Sequence, residues 1–379
     1  MKQELQVLMV GGRRCGKSSI LASAIQFLKK NKTLNDTLKI RPTATEEGGV
    51  SLNRKYGELM AFVYDHVDDV LSNNYMVDFN ADTKFSTYKF KIGVKHTLGN
   101  FIIRFIDAPG ESYEDDAAQF NTMINYAKGS DIFIIAIDTP YLMGRNPGYC
   151  NNVNCVTYLE EIFSEYDILP ESGETRNDKE LKHFIFVPIK CEVYRKDINS
   201  VVNKVKEVYS DLIDDILKHK EVSVSIIPAY TAGGVEFTDF TIPQVVINKG
   251  QKLDEYYTEY GEDGMKEFRC RKMDDAVRMA NGEIEEIEED QKVINDPIFK
   301  IRLPFYSWFK SVGDYSPKNC EQVLLHTLRF AVNKAKINHE PTIFGMKLSS
   351  LEEALETITS NNLLCDSGEG ITHIRKLEV

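Results

Sequence analysis

Residues 11 to 18 of the chain read Gly11-Gly12-Arg13-Arg14-Cys15-Gly16-Lys17-Ser18, which satisfies the pattern G-x-x-x-x-G-K-[ST]. In this pattern the glycines let backbone N–H groups turn toward phosphate oxygens, the lysine reaches the β- and γ-phosphates, and the serine hydroxyl ligates Mg²⁺. The stretch therefore predicts a phosphate-binding loop. The residues expected around the phosphates are Gly11, Gly12, Arg13, Arg14, Cys15, Gly16, Lys17, Ser18 and Ser19.

The sequence on either side of this loop has the periodicity that such a loop requires. Residues 4–10 alternate and then become apolar, which is typical of a strand. Residues 17–30 place Ile20, Leu21, Ile25 and Leu28 on one helical face, so the loop opens an amphipathic helix whose dipole favours phosphate. A strand, a glycine-containing turn and a helix in this order favour a nucleotide-binding loop over a chance glycine-rich turn.

The remainder of the pattern predicts the fold class. Apolar strands at about 101–106, 131–137, 183–189 and 222–229 alternate with amphipathic helices, which is typical of a parallel sheet covered on both faces. The alternating stretch 87–94 precedes a tight turn at Gly99-Asn100, so it is expected to pair as a hairpin with 101–106. The expected fold is a three-layer α/β P-loop NTPase with a mostly parallel sheet and one antiparallel strand.

Two segments interrupt this pattern, and they set the expected domain limits. We expect a P-loop domain over residues 1–337 with insertions at about 31–82 and 238–315, followed by a small C-terminal appendage over 338–379. Within this plan Ser316-Pro317 predicts the start of a helix, because serine is a good N-cap and proline suits the first helical position.

Composition excludes several classes of partner. The net charge of −12 argues against broad binding to nucleic acid, and no apolar run has the length needed to span a bilayer. The chain starts without the order of a signal peptide, and its seven scattered cysteines lack metal-site spacing. We therefore expect a cytoplasmic protein with free thiols and with neither a nucleic-acid nor a membrane partner.

A magnesium site beside such a loop also needs an acidic residue at the end of a neighbouring strand. Two residues qualify. Asp107 ends one apolar strand and begins Asp107-Ala108-Pro109-Gly110, a D-x-x-G pattern in which the Gly110 amide can bond the γ-phosphate. Asp138 ends the next apolar strand, where its other role would be to cap the following helix.

With these motifs the chain resembles the Ras-like P-loop GTPases over about residues 4–235 and the helix near 317. The resemblance favours Asp107 as the metal-side acid, because that class places an antiparallel strand pair just before its D-x-x-G. It also implies a switch-one threonine that ligates Mg²⁺ together with Ser18 and Asp107. Thr83 has a fitting distance to Asp107, while Thr87 and Thr45 compete for this role.

The resemblance also implies two loops that read guanine. The N/T-K-x-D motif corresponds to Ile189-Lys190-Cys191-Glu192, in which the lysine is kept, the Asn/Thr is lost and Glu replaces Asp. A carboxylate at this place would accept hydrogen bonds from guanine N1–H and N2–H₂. The S/T-A-x loop corresponds to Thr231-Ala232-Gly233.

Two further residues bear on catalysis beside Lys17. Glu111 stands after the D-x-x-G, where many relatives carry a water-orienting glutamine, so we expect slow hydrolysis. Arg14 stands where the dimerising guanylate-binding proteins also carry an arginine, which implies a nucleotide-dependent homodimer that turns Arg14 onto the transferring phosphate. Some divergent bacterial GTPases, which the long polar segment at 33–82 resembles, act in defence systems.

The sequence thus predicts a Mg²⁺-dependent GTP-binding protein with slow GTP hydrolysis, acting as a switch for an unidentified protein partner. One alternative is an ATPase or kinase that binds ATP with Asp138 as the metal-side acid. The other is a pseudo-GTPase scaffold that binds nucleotide without turnover.

Overall fold

The computed structural model describes residues 4–12, 15–42, 52–64, 85–110, 117–144, 147–166, 168–169, 180–240, 244–246, 300–302, 307–311, 313–343 and 345–377. Four of the predicted site residues, Arg13, Arg14, Thr83 and Glu111, lie outside these ranges, as does the competing threonine Thr45.

The first part of the chain builds one half of the sheet and the helix after the phosphate-binding loop. Its elements are β1 (Glu4–Val10), α1 (Lys17–Lys30), α2 (Lys32–Thr37), β2 (Leu38–Pro42), α3 (Leu52–Tyr64), β3 (Ser86–Val94) and β4 (Phe101–Asp107). The segment predicted as the first insertion therefore contributes α2, the edge strand β2 and α3.

The middle part alternates strands and helices as the hydrophobic pattern predicted. Its elements are α4 (Ala117–Gly129), β5 (Ile132–Asp138), α5 (Thr139–Met143), α6 (Pro147–Asn154), α7 (Val156–Glu165), β6 (Lys182–Ile189), a 3₁₀ helix (Cys191–Asp197), α8 (Ile198–Val208), α9 (Ser210–Leu217) and β7 (Val222–Ile226).

The last part contains short strand pairs, two helices and a final strand. Its elements are β8 (Val235–Phe240), β9 (Gln244–Val246), β10 (Lys300–Arg302), β11 (Ser307–Ser311), α10 (Cys320–Ile337), β12 (Thr342–Ile343), β13 (Met346–Lys347), α11 (Leu348–Ser360) and β14 (Thr372–Arg375). Strand β8 pairs with β11, and β9 with β10, in antiparallel fashion within the second insertion.

Eight strands form the central sheet in the order β14-β7-β6-β5-β1-β4-β3-β2. Strand β1 lies between β4 and β5 and is parallel to both, and β6 and β7 continue in the same direction. Strand β3 runs antiparallel to β4, as the Gly99-Asn100 turn predicted. The predicted mostly parallel sheet with helices on both faces is confirmed, which is consistent with the expected P-loop NTPase fold. Strand β14 adds a further antiparallel strand beside β7 at the opposite edge.

Each face of the sheet carries its own apolar core, because successive side chains of a strand point to opposite faces. In β1, Leu5, Val7 and Met9 join the core covered by α1, α2, α10 and α11. The alternate residues Leu8 and Val10 join the core covered by α4 through α9. This division makes the three layers and leaves the carboxyl edge of the sheet open for the loops.

The tail is part of this architecture. Helix α11 packs against α2 and α10, and β14 extends the central sheet. The predicted domain limit at residue 338 stays a prediction, and these contacts join the residues on either side of it.

The predicted helix start at Ser316-Pro317 is wrong, because α10 begins at Cys320. The backbone of Lys318 exchanges two hydrogen bonds with Tyr230, at 3.0 and 2.9 Å, which takes these residues out of any helix. Asn319 then turns the chain with a φ of +62° before the helix starts. Among the described residues, none of the helices has the length and apolarity required to cross a membrane.

Candidate nucleotide-binding site

The predicted phosphate-binding loop leaves β1 at the carboxyl edge of the sheet and is tightly confined. Gly11 has a φ of +137°, and a Cβ there would lie 2.4 Å from the Ala136 carbonyl oxygen. A Cβ at Gly12 would lie 1.8 Å from the carbonyl oxygen of Val153, near the end of α6. Only glycine fits at either position, so β5 on one side and α6 on the other fix the path of the loop.

Lys17 lies at the first position of α1 and folds back over the loop. Its Nζ donates to the carbonyl oxygens of Gly11 at 2.9 Å and Gly12 at 3.1 Å, and the side chain is buried. Gly16 precedes it with a φ of +101°, and α1 has no acidic residue in its first turn. The positive end of the helix dipole and the ammonium group therefore act in the same place, which suits an anion.

Ser18 and Asp107 meet beside the loop. Strands β1 and β4 are neighbours, with Met9 opposite Asp107, so the end of β4 lies next to the start of the loop. The Ser18 hydroxyl donates to Asp107 Oδ2 at 2.8 Å. Gly110 follows three residues later and is half-buried. The competing threonine, Thr87, is buried in β3 opposite Ile106.

The Ser18–Asp107 pair fits Mg²⁺ in its chemistry. A hydroxyl and a carboxylate are the hard oxygen donors that Mg²⁺ takes, usually with only one or two carboxylates and with phosphate oxygens and water completing the shell. Within the described part of the chain, no three His, Cys, Asp or Glu side chains are grouped for a metal ion. An ion held here would therefore depend on a phosphate ligand.

Asp138, the rival acid, is engaged elsewhere. Its carboxylate pairs with the ammonium of Lys190, and it accepts from the Tyr141 amide at 3.4 Å as the N-cap of α5. The backbone amide of Asp138 donates to Asn154 Oδ1 at 2.7 Å. Asp138 thus connects the end of β6 with α5 and α6. It caps α5, which is the other role that the sequence allowed for it.

Glu192 lies in the 3₁₀ helix after β6 and reaches the loop after β7. Its Oε1 accepts from the amides of Ala232 at 3.0 Å and Gly233 at 3.1 Å. Its Oε2 is buried and has no partner among the described residues. Burial raises the pKa of this carboxyl group, and the two amides and nearby Arg195 oppose that shift. Glu192 and the Thr231-Ala232 loop, which is about 40 residues further along the chain, therefore lie together.

This second cluster lies along the same edge of the sheet as the phosphate-binding loop. The Ile189 side chain at the end of β6 lies 3.5 Å from the place where a Cβ of Gly16 would stand. Lys190 follows with a φ of +63°, which turns the chain into the 3₁₀ helix. Burial raises the pKa of the Cys15 thiol, and the positive charges of Lys17 and Lys190 oppose that shift.

Three residues that sequence reasoning missed support these loops. Asn154 holds the backbone of Asp138, Arg195 donates to the Gly233 carbonyl, and Ser23 donates to the Thr231 carbonyl at 3.0 Å. Ser23 gave one sequence signal, since it is a polar residue between Ala22 and Ala24 in an otherwise apolar stretch of α1. The other two gave none, because their partners are remote in sequence.

No protein-family profile matches the chain, and no curated protein sequence matches it. Two solved structures of the GTPase-like domain of Ski7 from S. cerevisiae, one bound to GTP and the other to GDP and inorganic phosphate, are similar to it over part of its length. Both have a TM-score of 0.33 and cover 60% of this chain, with identities of 16% and 17%. The chain spans 43% of the length of each.

Proposed function

We propose that this chain binds GTP together with Mg²⁺, hydrolyses it slowly, and uses the bound nucleotide as a switch for a protein partner. The observation that carries the proposal is the Ser18–Asp107 contact of 2.8 Å beside the Lys17 ammonium, at the start of α1. These groups supply two hard oxygen donors and a fixed positive charge where the β- and γ-phosphates of the P-loop pattern would lie.

The role of each group follows from its chemistry. Lys17 would leave the carbonyl oxygens of Gly11 and Gly12 for the phosphate oxygens, while amides of the loop and of α1 donate to the same oxygens. Ser18 and Asp107 would hold Mg²⁺, which neutralises charge on the β- and γ-phosphates when bound. Because Asp138 is committed to Lys190 and to α5, Asp107 is the better supported metal-side acid.

Guanine preference is supported by Glu192. Its Oε2 is a buried acceptor without a partner in the described part of the chain, and leaving such an oxygen unpaired is costly. Guanine N1–H and N2–H₂ are donors that would satisfy it. Its Oε1 already accepts from two backbone amides, so recognition through one oxygen is the expected mode.

The two residues with proposed roles in GTP hydrolysis lie outside the described ranges, and these roles rest on the sequence motifs. Glu111 would accept a hydrogen bond from the attacking water but cannot donate to the transferring phosphoryl group. Arg14 would supply positive charge to the transition state when a partner, including a second copy of the chain, closes over the site; such an arginine contributes roughly 10³–10⁵ in rate. We therefore propose slow basal hydrolysis that a partner accelerates.

The test is displacement of a fluorescent guanine nucleotide by GTP and by ATP, with Mg²⁺ and with a chelator. We expect GTP to displace better than ATP, Mg²⁺ to strengthen binding, and Lys17→Ala to abolish it. Unchanged affinity in Lys17→Ala would refute the phosphate-binding assignment, and stronger displacement by ATP would establish the ATPase alternative. Lys17-dependent binding without phosphate release would establish the scaffold alternative.

A matched pair of variants tests the base contact. Glu192→Ala removes the carboxylate, whereas Glu192→Gln keeps an oxygen for the amides of Ala232 and Gly233 but loses the charge. If the carboxylate reads guanine, both variants weaken GTP more than ATP, by about 1–3 kcal/mol for a charged acceptor. If Glu192→Gln matches the wild type while Glu192→Ala does not, Glu192 only braces the loop.

A further inference from the structure

The loop after β7, residues 230–234, is here called the base loop, and it is held from two sides. On the first side, Glu192 accepts from its Ala232 and Gly233 amides and Arg195 donates to its Gly233 carbonyl. The Arg195 guanidinium also lies over the Tyr230 ring, 5.4 Å from its centroid. Both residues of this side lie in the 3₁₀ helix, where the sequence motif indicated Glu192 but not Arg195.

The second side is formed by residues 313–318, here called the insertion root, where the chain returns from the second insertion. The Ser316 amide donates to the Ala232 carbonyl at 3.0 Å, and the Gly313 amide donates to the Gly234 carbonyl at 3.2 Å. Tyr230 and Lys318 exchange backbone hydrogen bonds in both directions. The insertion root thus forms a backbone ladder along the base loop.

Two glycines permit this close approach of backbone to backbone. Gly233 has a φ of +83°, and a Cβ there would lie 2.1 Å from the Ser316 carbonyl oxygen. A Cβ at Gly234 would lie 2.2 Å from the carbonyl oxygen of Asp314. The shape of the base loop therefore depends on the position of the insertion root, because neither segment can shift without meeting the other.

A chain of hydroxyl groups connects the two segments to α1. Ser23 is fully buried, and its Oγ lies 3.0 Å from the Thr231 carbonyl oxygen and 2.9 Å from the Tyr315 hydroxyl. Since a carbonyl oxygen only accepts and a serine hydroxyl has one proton, Ser23 donates to Thr231 and Tyr315 donates to Ser23. Burial raises the pKa of Tyr315, so this phenol keeps the proton that it donates.

We propose that the insertion root positions the base end of the nucleotide site. Tyr315, acting through Ser23, and the ladder from Gly313 to Lys318 hold the base loop in the form that accepts the nucleotide base. The second insertion, whose strands β8 and β11 leave from and return to this place, thereby controls affinity for the base. Tyr315 and Ser23 are positioning residues, and the inference rests on the proposed nucleotide binding.

The test compares GTP with inorganic tripolyphosphate, which offers the phosphates without a base. Tyr315→Phe removes the phenolic hydroxyl and leaves the ring. We expect this variant to bind GTP about 3- to 10-fold more weakly, the effect of one lost buried hydrogen bond, and to bind tripolyphosphate as the wild type does. A general loss of stability would weaken both ligands in parallel.

Tyr56→Phe is the matched control. The Tyr56 ring packs edge-on against Tyr315 at 5.5 Å, and its hydroxyl accepts from Lys30 at 3.3 Å, away from the base loop. This variant should leave the GTP and tripolyphosphate affinities unchanged. Equal GTP affinity in Tyr315→Phe and wild type, or parallel loss of both ligands, overturns the positioning role.

Hydrogen exchange gives a second readout in the unaltered protein. GTP should slow exchange of the Gly313 and Ser316 amides, which donate to the base loop, whereas tripolyphosphate should not. Exchange that is the same with either ligand contradicts the inference. A wild-type chain that binds neither ligand in a Lys17-dependent manner refutes the proposed function and this inference with it, whereas normal binding with no response at residues 313–318 refutes the inference alone.

Discussion

Replacing Asp107 and Asp138 by asparagine tests the proposal that Asp107 is the metal-side acid and that Asp138 is structural. Both aspartates are buried, at the ends of β4 and β5, the strands on either side of β1, and asparagine has nearly the same shape. Asp138→Asn removes the negative charge that faces Lys190, whose side chain is 18% exposed. Asp107→Asn keeps an oxygen that can accept from Ser18 but removes the charge that would attract Mg²⁺.

Asp138→Asn is expected to lower the free energy of unfolding. Removing one partner of a buried ion pair costs about 3–5 kcal/mol, and the partial exposure of Lys190 together with the remaining amide oxygen lowers this to about 2–4 kcal/mol. For a domain of this size that is a fall in Tm of roughly 3–6 °C. Asp107→Asn should change Tm little and should weaken nucleotide binding mainly when Mg²⁺ is present.

The assay is thermal and urea unfolding of both variants, followed by nucleotide titration with Mg²⁺ and with a chelator. Lys190→Met provides the other half of a double-mutant cycle, and its effect should be strongly non-additive with that of Asp138→Asn. The reasoning fails if Asp138→Asn folds as stably as the wild type but loses the Mg²⁺ dependence. That result would make Asp138 the metal-side acid and would support the ATPase alternative.

Three further predictions concern the loop, the pH dependence and turnover. Gly12→Ala should destabilise the fold by at least about 1–3 kcal/mol, because its Cβ would lie 1.8 Å from the Val153 carbonyl oxygen. Gly57→Ala, in an open position of α3, should instead stabilise it by about 0.4–1 kcal/mol in urea unfolding. Burial lowers the pKa of His183 and His326 to about 3 and that of His373 to about 4 in the folded protein. In the unfolded chain these histidines have the ordinary pKa of about 6.5, so below that pH the unfolded chain binds more protons than the folded protein does. Stability should therefore be full above about pH 6.5 and fall on acidification by about 1.4 kcal/mol per pH unit for each histidine, and His183→Gln should make that slope shallower; an unchanged slope would contradict the prediction. Arg14→Ala should leave GTP affinity nearly intact and remove the partner-stimulated rate, measured as turnover per molecule over a range of protein concentrations; a rate per molecule that is flat with concentration would exclude self-stimulation.

Sequence periodicity predicted the fold because it is a local property. The alternation in residues 4–10, the helical face of residues 17–30 and the apolar runs that became β4 to β7 each depend on neighbouring residues. The turn at Gly99-Asn100 likewise fixed the β3–β4 pair. Helix α10 was misplaced at its start because a remote contact, Lys318 with Tyr230, takes the backbone groups that a helix would need.

The candidate site likewise combines features that the sequence predicted with features that depend on the tertiary structure. The sequence by itself predicted the phosphate-binding loop from motif spacing along one strand–loop–helix unit, and it predicted the two candidate acids from their places at the ends of apolar strands. Only the tertiary structure decided that Asp107 contacts Ser18 while Asp138 pairs with Lys190, because strand order places β4 beside β1 and β6 beside β5. The contact of the insertion root with the base loop also could not be predicted from the sequence. It depends on backbone groups and on two glycines that lie about eighty residues from their partners. Every residue type except proline offers the same backbone hydrogen-bonding groups, so such a contact leaves no pattern in the sequence.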